Sequence, residues 1–109
     1  MSLIERMRKH WCVYWEYTGQ DRNGKDTYDD PIAIKVRWED RAEQDFLPSG
    51  QEVIVKSTVY VDRTMPLGGV LWLGLLVDRP TTPPEHQKIR VFRSIPKLRG
   101  NKVLRIARI

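Results

Sequence analysis

Residues 53–78 read VIVKSTVYVDRTMPLGGVLWLGLLVD, and we expect the rest of the chain to be arranged around them. In residues 53–61, alternate positions are mostly valine and the positions between them are mostly polar, which is the period-two pattern of a strand. Residues 70–77 are apolar at seven of eight positions, which favours a strand covered on both faces. Gly68 and Gly69 mark a turn between the two. The stretch therefore predicts a hairpin, and a partner subunit is one candidate for covering its outer face.

The composition describes one small basic domain. The chain has 109 residues, enough for a single domain that buries about two thirds of its unfolded surface. Lys and Arg exceed Asp and Glu by 19 to 14, and the net charge of +5 suggests a polyanion nearby. The positive charge concentrates at the two ends, whereas the acids cluster in residues 21–30 and 39–52. Cys12, the single cysteine, excludes an intrachain disulfide and is expected to be a buried thiol.

No segment has the pattern of a targeting or membrane sequence. Residues 1–10 lack the apolar run and the cleavage site of a signal peptide. The longest apolar run, residues 70–77, is far below the ~20 residues that cross a bilayer as a helix. We therefore expect no membrane contact and a protein that is cytoplasmic in origin.

The first third of the chain predicts a helical turn, an aromatic strand and a β-arm. The capping-box pattern from Ser2 to Glu5 favours a short helix within residues 1–10. Aromatic residues then alternate from Trp11 to Tyr17, which indicates a strand. In the polar residues 19–30, the pair Asn23-Gly24 predicts either a protruding hairpin or a plain loop.

The remaining chain predicts further strands separated by two long loops. We expect strands at 31–39, 88–93 and 103–109, and loops at 40–52 and 79–87. Within the first loop, Phe46 and Leu47 either tuck under the sheet or meet another chain. The prediction is a mainly β single domain over residues 1–109, a small antiparallel barrel or sandwich of about six strands with one short helix.

No motif for catalysis or for a cofactor is present in the sequence. GxSxG, a Walker loop, HExxH and CxxC are all absent. His10 and His86 have no Cys, His or acid at ligand spacing, and the acids of residues 21–30 do not fit a calcium loop. We therefore expect a protein that is not an enzyme and that uses no metal or cofactor.

Short motifs nevertheless follow one another in a recognisable order. They are RMRKHWCVYWEY at residues 6–17, Trp38-Glu39-Asp40, Tyr60-Val61-Asp62, Gly68-Gly69-Val70-Leu71 and Pro96-Lys97-Leu98. In this order, which covers nearly the whole chain, the sequence resembles the small head–tail joining proteins of tailed bacteriophages, also described as head-completion, stopper or minor capsid proteins.

The resemblance implies a small β-barrel that assembles into a homo-oligomeric ring, commonly of about six copies and in some connectors of about twelve. Such a ring joins the portal–adaptor complex to the tail in the neck of the virion, keeps packaged DNA from leaking, and is assembled in the bacterial host's cytoplasm. In that family a long loop between two strands projects into the channel as a gate. By position, the resemblance gives this role to residues 40–52, and the candidate gate residues are Asp40, Arg41, Glu43, Gln44, Asp45, Phe46 and Leu47.

Other surfaces of the chain are expected to serve the ring. Non-specific contact with DNA phosphates is expected from Lys97, Arg99 and Lys102. The candidate contacts between subunits or between rings are Trp11, Trp15, Asn23, Gly24, Leu104, Ile106 and Ile109.

Two alternatives to the ring-forming stopper remain open. A phage adaptor or tail-terminator protein shares the size and the β character of this chain. A free-standing small-barrel module for RNA or single-stranded DNA would stack bases on Trp11 and Trp15 and would use the basic residues at the chain ends.

Overall fold

The computed structural model describes residues 10–96 and 103–109, and these are mainly β. Within them lie two short 3₁₀ helices, at Leu76–Asp78 and Glu85–Gln87. The helical turn predicted for residues 1–10 lies outside the described residues, except for His10, which begins the first strand. The strands of the described residues are β1 (His10–Trp15), β2 (Tyr17–Gln20), β3 (Asp26–Tyr28), β4 (Ile32–Phe46), β5 (Glu52–Val61), β6 (Val70–Leu73), β7 (Val91–Pro96) and β8 (Val103–Arg108).

The strands form one large antiparallel sheet and one small one. In the part of the chain that the structure describes, the large sheet has six strands in the order β6-β1-β4-β5-β8-β7. The small sheet pairs β2 with β3 as an arm beside it. The prediction of a mainly β, antiparallel fold is confirmed. The predicted barrel is not shown as a closed one, because β6 and β7 end the ladder of the large sheet.

The segment before β7 draws the two edges of the large sheet together at one end. Val70 in β6 forms a β-bridge with Lys88. Two residues further on, the backbone N–H of Arg90 donates to the carbonyl of Arg108 in β8 at 2.8 Å. The sheet therefore curves until its edges approach one another at this end.

Strand β1 is covered on both faces and separates two apolar clusters. Residues Cys12–Trp15 are all buried, with alternate side chains on opposite faces, so the aromatic strand predicted from the sequence is confirmed. The main core combines buried Cys12, Tyr14, Ile34, Val36, Val59, Val61, Met65, Leu71, Ile89, Ala107 and Ile109. The second cluster combines buried Val13, Trp15 and Val70 with partly buried Tyr28, Trp72 and Leu76.

The alternation predicted for residues 53–61 is confirmed, but the predicted hairpin with residues 70–77 is wrong. Val55, Val59 and Val61 are buried on one face of β5. Both edges of β5 are occupied, by β4 and β8, so β6 pairs with β1 instead. Strand β6 also ends at Leu73, because Gly74 takes a φ of 149° and a 3₁₀ helix follows.

The long loop predicted over residues 40–52 is also wrong, whereas that over residues 79–87 is largely confirmed. Strand β4 continues through the charged residues to Phe46, with a register shift between Asp40 and Glu43, and it pairs with β5 along most of its length. Residues 47–51 alone make the turn. Residues 79–87 are irregular apart from the second 3₁₀ helix.

The remaining predicted strands are found close to their predicted positions. Strand β8 agrees with the prediction for residues 103–109, whereas β7 begins three residues later than predicted and runs on to Pro96. None of the helices among the described residues is long and apolar enough to cross a membrane.

Two valines provide a direct test of this packing. Val59 is 0% exposed in the core, whereas Val77 is 85% exposed. We expect Val59→Ala to lower the free energy of unfolding by about 1.5–3 kcal/mol, because it removes buried methyl groups and leaves a cavity. The matched variant Val77→Ala should stay within about 0.5 kcal/mol of the unmodified protein. Urea denaturation at low protein concentration measures both, and equal losses would contradict the placement of β5 in the core.

Candidate functional site

The described residues contain no constellation for metal binding. Among residues 10–96 and 103–109, no group of three or more His, Cys, Asp or Glu side chains is placed to hold a metal ion. Cys12 is buried in the main core, as predicted, and its burial raises the pKa of the thiol to about 12. A thiol held in this way stays protonated and is a poor nucleophile. The surfaces of the fold are therefore the remaining candidates for a functional site.

A buried carboxylate holds the end of the β4–β5 hairpin against β7 and β8. Asp45 is 3% exposed although it lies near the end of β4. Its two oxygens accept hydrogen bonds from Arg93 Nη2 at 2.5 Å and from Arg108 Nη1 at 2.7 Å. Because Arg93 belongs to β7 and Arg108 to β8, these ion pairs tie the inner face of the hairpin to the two strands that follow β5 in the large sheet.

The environment of Asp45 favours its charged form. Burial alone would raise the pKa of this carboxyl, but the backbone N–H of Phe46 donates to it at 2.7 Å. The positive charges of Arg93 and Arg108 add to this effect, and the pKa is held below its ordinary value. The ion pairs are therefore complete at neutral pH.

A second carboxylate, that of Glu43, lies on the same face of the hairpin as Asp45. The ion pairs of Asp45 and Glu43 with Arg41, Arg93 and Arg108 are called the ion cluster below. Glu43 accepts from Arg108 Nη2 at 3.1 Å and from Arg41 Nε at 2.5 Å. Together these side chains connect two positions of β4 to one arginine of β8. The inner face of the hairpin is thus fixed by charge, not by apolar packing alone.

The register shift in β4 is supported by hydrogen bonds to Asp40. Its Oδ1 accepts from Ser57 Oγ at 2.7 Å and from Trp38 Nε1 at 2.8 Å. These two bonds, with that from Ser57 the stronger influence, lower the pKa of Asp40. Asp40 therefore stabilises the bend of the hairpin.

The outer face of the hairpin exposes two large apolar side chains among polar ones. Residue pairs across β4 and β5 place Phe46 and Ile54 on the face opposite Asp45, and they are 57% and 67% exposed. Beside Phe46 lies Leu67, which is 39% exposed, in a shallow cleft of about 360 Å³. Phe46, Ile54 and Leu67 are called the hairpin surface below. The cleft is lined by Phe46, Pro48, Met65, Leu67, Val91, Phe92 and Arg93.

A second exposed apolar surface lies at the end of β6. Leu73, Leu75 and Val77 are 42%, 50% and 85% exposed, and these three residues are called the β6 surface below. Trp11 of the neighbouring strand is 46% exposed, but it lies on the other face of the sheet, because Leu73 pairs with Cys12. The ammonium group of Lys35 lies 5.1 Å from the centre of the Trp11 ring, in a cation–π contact. The β6 surface shares no residue with the hairpin surface.

Of the two alternatives for residues 19–30, a protruding hairpin or a plain loop, the structure shows the hairpin. Strands β2 and β3 pair up to Gln20 and Asp26, and the turn between them is exposed. The arm is tied to the large sheet by an ion pair between Lys88 Nζ and Asp26 Oδ2 at 2.6 Å. Asn23 and Gly24 therefore lie in the exposed turn at the tip of the arm, and their contact with a neighbouring subunit or ring stays a prediction.

Other predicted contact residues are less available than expected. Trp15 and Ile109 are 3% and 5% exposed, so they are packed within the chain and present little area to a second subunit. Leu104 and Ile106 are half-buried in β8, which has neighbours on both sides. Lys97, Arg99 and Lys102, predicted to face DNA, lie outside the described residues.

Arg93 and Arg108 of the ion cluster were missed by sequence reasoning. Asp45 was predicted as a gate residue in a loop, but its partners Arg93 and Arg108 lie far away in the sequence. A signal existed in the alternation of β7, since Arg93 follows the buried Val91 by two positions and so belongs to the same face. Only the fold shows that this face meets the hairpin.

Comparison with known proteins adds no assignment to this geometry. No family model, no curated protein and no solved structure matches the chain.

Asp45→Asn tests whether the ion cluster holds the hairpin. Loss of the carboxylate leaves Arg108 with reduced charge compensation in a largely buried position. We expect the free energy of unfolding to fall by about 3 kcal/mol at neutral pH, near the lower end for a broken buried pair because Arg93 is half exposed.

The pH dependence separates charge from shape in the same variant. Because folding lowers the pKa of Asp45, its stabilising contribution is present above the unfolded value of about 3.9 and is lost as the pH falls through the folded value. The difference between the two proteins should therefore shrink below about pH 4 in denaturation curves. Glu52→Gln, on the exposed face of the same hairpin, is the control and should have little effect. A pH-independent loss would point to packing instead of charge.

Proposed function

We propose that this protein is a structural connector subunit that assembles head to tail into a ring, as the head–tail joining proteins of tailed bacteriophages do. The observation that carries the proposal is the presence of two exposed apolar surfaces on different elements. The hairpin surface and the β6 surface expose large apolar side chains to water. This exposure does not stabilise a monomer, and burial against another chain would remove it. Each is suited to contact with another chain.

The separation of the two surfaces favours a head-to-tail arrangement. In an isologous dimer, one patch meets its own copy across a two-fold axis. When two unlike patches meet, the two subunits at the ends of the series each keep one unpaired patch, so further copies can add. The series closes into a ring if the rotation between neighbours allows it, and otherwise grows as an open fibre. As in the phage proteins that the sequence resembles, such a ring would contain about six copies, or about twelve.

The candidate gate is reduced to the turn of the β4–β5 hairpin. Asp40 and residues 43–45 pair with β5, and Asp40, Glu43 and Asp45 are also held by hydrogen bonds and ion pairs, so this segment is poorly placed to move into a channel. The turn over residues 47–51 is closed by a hydrogen bond from Leu47 N–H to the carbonyl of Gln51 at 2.8 Å. It is exposed except for the half-buried Leu47. We propose that this turn faces the channel, on a rigid support.

The remaining parts of the proposal concern partners and place. The ring would lie in the virion neck, between the portal–adaptor complex and the tail, after assembly in the bacterial host's cytoplasm. The net charge of +5 supports non-specific contact with the phosphates of packaged DNA. The β2–β3 arm supplies a projection for contact with a neighbouring subunit or ring.

The alternative of a base-stacking module receives less support. It required Trp11 and Trp15 on one accessible face, but Trp15 is buried against Val13 and Val70 in the second cluster. Trp11 alone remains exposed, and Lys35 already lies over its ring. One exposed tryptophan makes a poor platform for successive bases.

Two surface variants test the head-to-tail arrangement. Leu75→Glu with Val77→Glu alters the β6 surface, and Phe46→Glu with Ile54→Glu alters the hairpin surface. All four side chains are at least half exposed, so the fold should be retained. We expect the unmodified protein to form closed rings in negative-stain images, and each variant alone to be monomeric by light scattering.

Mixing the two variants is the decisive step. Each variant keeps the surface that the other has lost, so a head-to-tail contact predicts heterodimers and nothing larger. If either variant alone still forms dimers, the surface that it keeps meets its own copy and that contact is isologous. A mixture that stays monomeric would contradict the head-to-tail contact. Ile95→Glu on β7 is the control, since Ile95 is 45% exposed but belongs to neither surface. An unmodified protein that is monomeric at every concentration would contradict ring formation.

The role at the head–tail junction is tested with DNA-filled phage heads. Heads assembled without this subunit should lose their DNA to added nuclease, and the purified protein should restore protection. The β6-surface variant, which cannot close a ring, should not restore it. Unprotected DNA in the presence of the unmodified protein would contradict the junction role and leave ring assembly unaffected.

A further inference from the structure

An acidic cleft opens at the base of the β2–β3 arm. It has a volume of about 390 Å³ and is lined by Tyr14, Glu16, Asp29, Asp30, Ile32 and Arg63. Glu16 precedes β2 and Asp29 follows β3, and the N–H of Asp29 donates to the carbonyl of Glu16 at 2.9 Å. The two ends of the arm therefore meet here and bring three carboxylates to one cleft.

The negative charge of the cleft is not balanced by its own arginine. Arg63 directs Nε and Nη2 to the two oxygens of Asp62, at 2.7 and 3.2 Å. Glu16, Asp29 and Asp30 are exposed, and none of them forms a side-chain ion pair with another of the described residues. The cleft thus retains an excess of negative charge that a positively charged group can balance.

A buried hydroxyl in the cleft lining supplies a second, independent observation. Tyr14 is 3% exposed, and its hydroxyl has no hydrogen-bond partner within the described part of the chain. Burial, and to a lesser extent the charge of Glu16, raises the pKa of Tyr14 to about 12. The hydroxyl is therefore neutral at pH 7, and its oxygen can accept a hydrogen bond. An unmade hydrogen bond at a buried polar atom calls for a donor. A group with N–H donors and a positive charge satisfies both the hydroxyl and the carboxylates.

The tip of the same arm carries groups of this chemistry. Arg22 and Lys25 are exposed on either side of Asn23-Gly24, and neither side chain forms an ion pair with the described residues. The turn itself is well defined, because Asp21 Oδ1 accepts the backbone N–H groups of Asn23 and Lys25 at 2.8 and 3.0 Å. The arm is therefore basic at its tip and acidic at its base.

We propose that the arm tip of one copy, through Arg22 and Lys25, docks into the acidic cleft of the next copy. The inference rests on the proposed head-to-tail assembly and names one of its contacts. The cleft cannot be filled by its own tip, because Lys25 and Asp29 are four residues apart along an extended strand, which separates their Cα atoms by about 13 Å. In the docked pair, the guanidinium and ammonium groups donate to the carboxylates and to the Tyr14 hydroxyl.

A charge exchange tests this contact. The arm variant is Arg22→Glu with Lys25→Glu, and the cleft variant is Glu16→Lys with Asp29→Lys. All four side chains are exposed, so both variants should fold. Each variant alone should need at least ~10-fold more protein for half-maximal assembly, because like charges then face one another. An equimolar mixture should recover assembly, since every acidic arm then finds a basic cleft and every basic arm an acidic one.

Tyr14→Phe separates the docking role of the hydroxyl from a structural role. The ring remains to fill the core, and the hydroxyl that is lost has no partner among residues 10–96 and 103–109. We expect the thermal midpoint of the monomer to stay the same or rise, whereas assembly weakens roughly fivefold, as for one lost hydrogen bond. Unchanged assembly would contradict the part assigned to Tyr14.

The outcomes, followed by sedimentation velocity and negative-stain images, separate the two proposals. Rings that are weakened by each variant and recovered by the mixture support both. Rings that neither charge variant affects overturn the docking of the arm and leave the ring in place. Open fibres or dimers with the same loss and recovery support the docking and overturn the ring. An unmodified protein that stays monomeric throughout overturns both.

Discussion

The burial of Asp45 is the constraint on which the shape of the molecule depends. A carboxylate that is 3% exposed is tolerated only if its charge is balanced, and the balancing groups come from Arg93 and Arg108. The end of β4 must therefore lie over β7 and β8, and β5 must follow it. This position turns Phe46 and Ile54 outward. One buried charge thus determines which side of the hairpin is exposed.

The features that the sequence predicted correctly are those encoded by near neighbours. The alternation of residues 53–61 reports directly which side of β5 is buried, because successive side chains of a strand point to opposite faces. The arm was one of two alternatives indicated by Asn23-Gly24, and Gly24 supplies the positive φ of 77° that its turn requires. The burial of Cys12 followed from its place in an apolar strand. Each of these depends on a few consecutive residues.

The features that the sequence did not predict depend on distant residues. The charges of residues 40–46 are typical of a loop, yet they form a strand because Arg108 and Ser57 supply partners from elsewhere in the fold. The pairing of β6 with β1 could not be read locally either, because it follows from β8 occupying the free edge of β5. The acidic cleft was hidden for the same reason, since Tyr14 and Arg63 lie far apart in the sequence.

Two kinds of contact with different ranges would serve the proposed assembly together. Charges on the arm tip and in the cleft act over about 8–10 Å at physiological salt, so they can orient approaching subunits before any surfaces touch. The hairpin surface and the β6 surface act only on contact, and the apolar area that they remove from water would hold the pair. Both contacts join unlike surfaces. Because two independent unlike pairs must be satisfied at once, they restrict neighbouring subunits to one relative orientation, and a constant rotation between neighbours is what allows a ring to close.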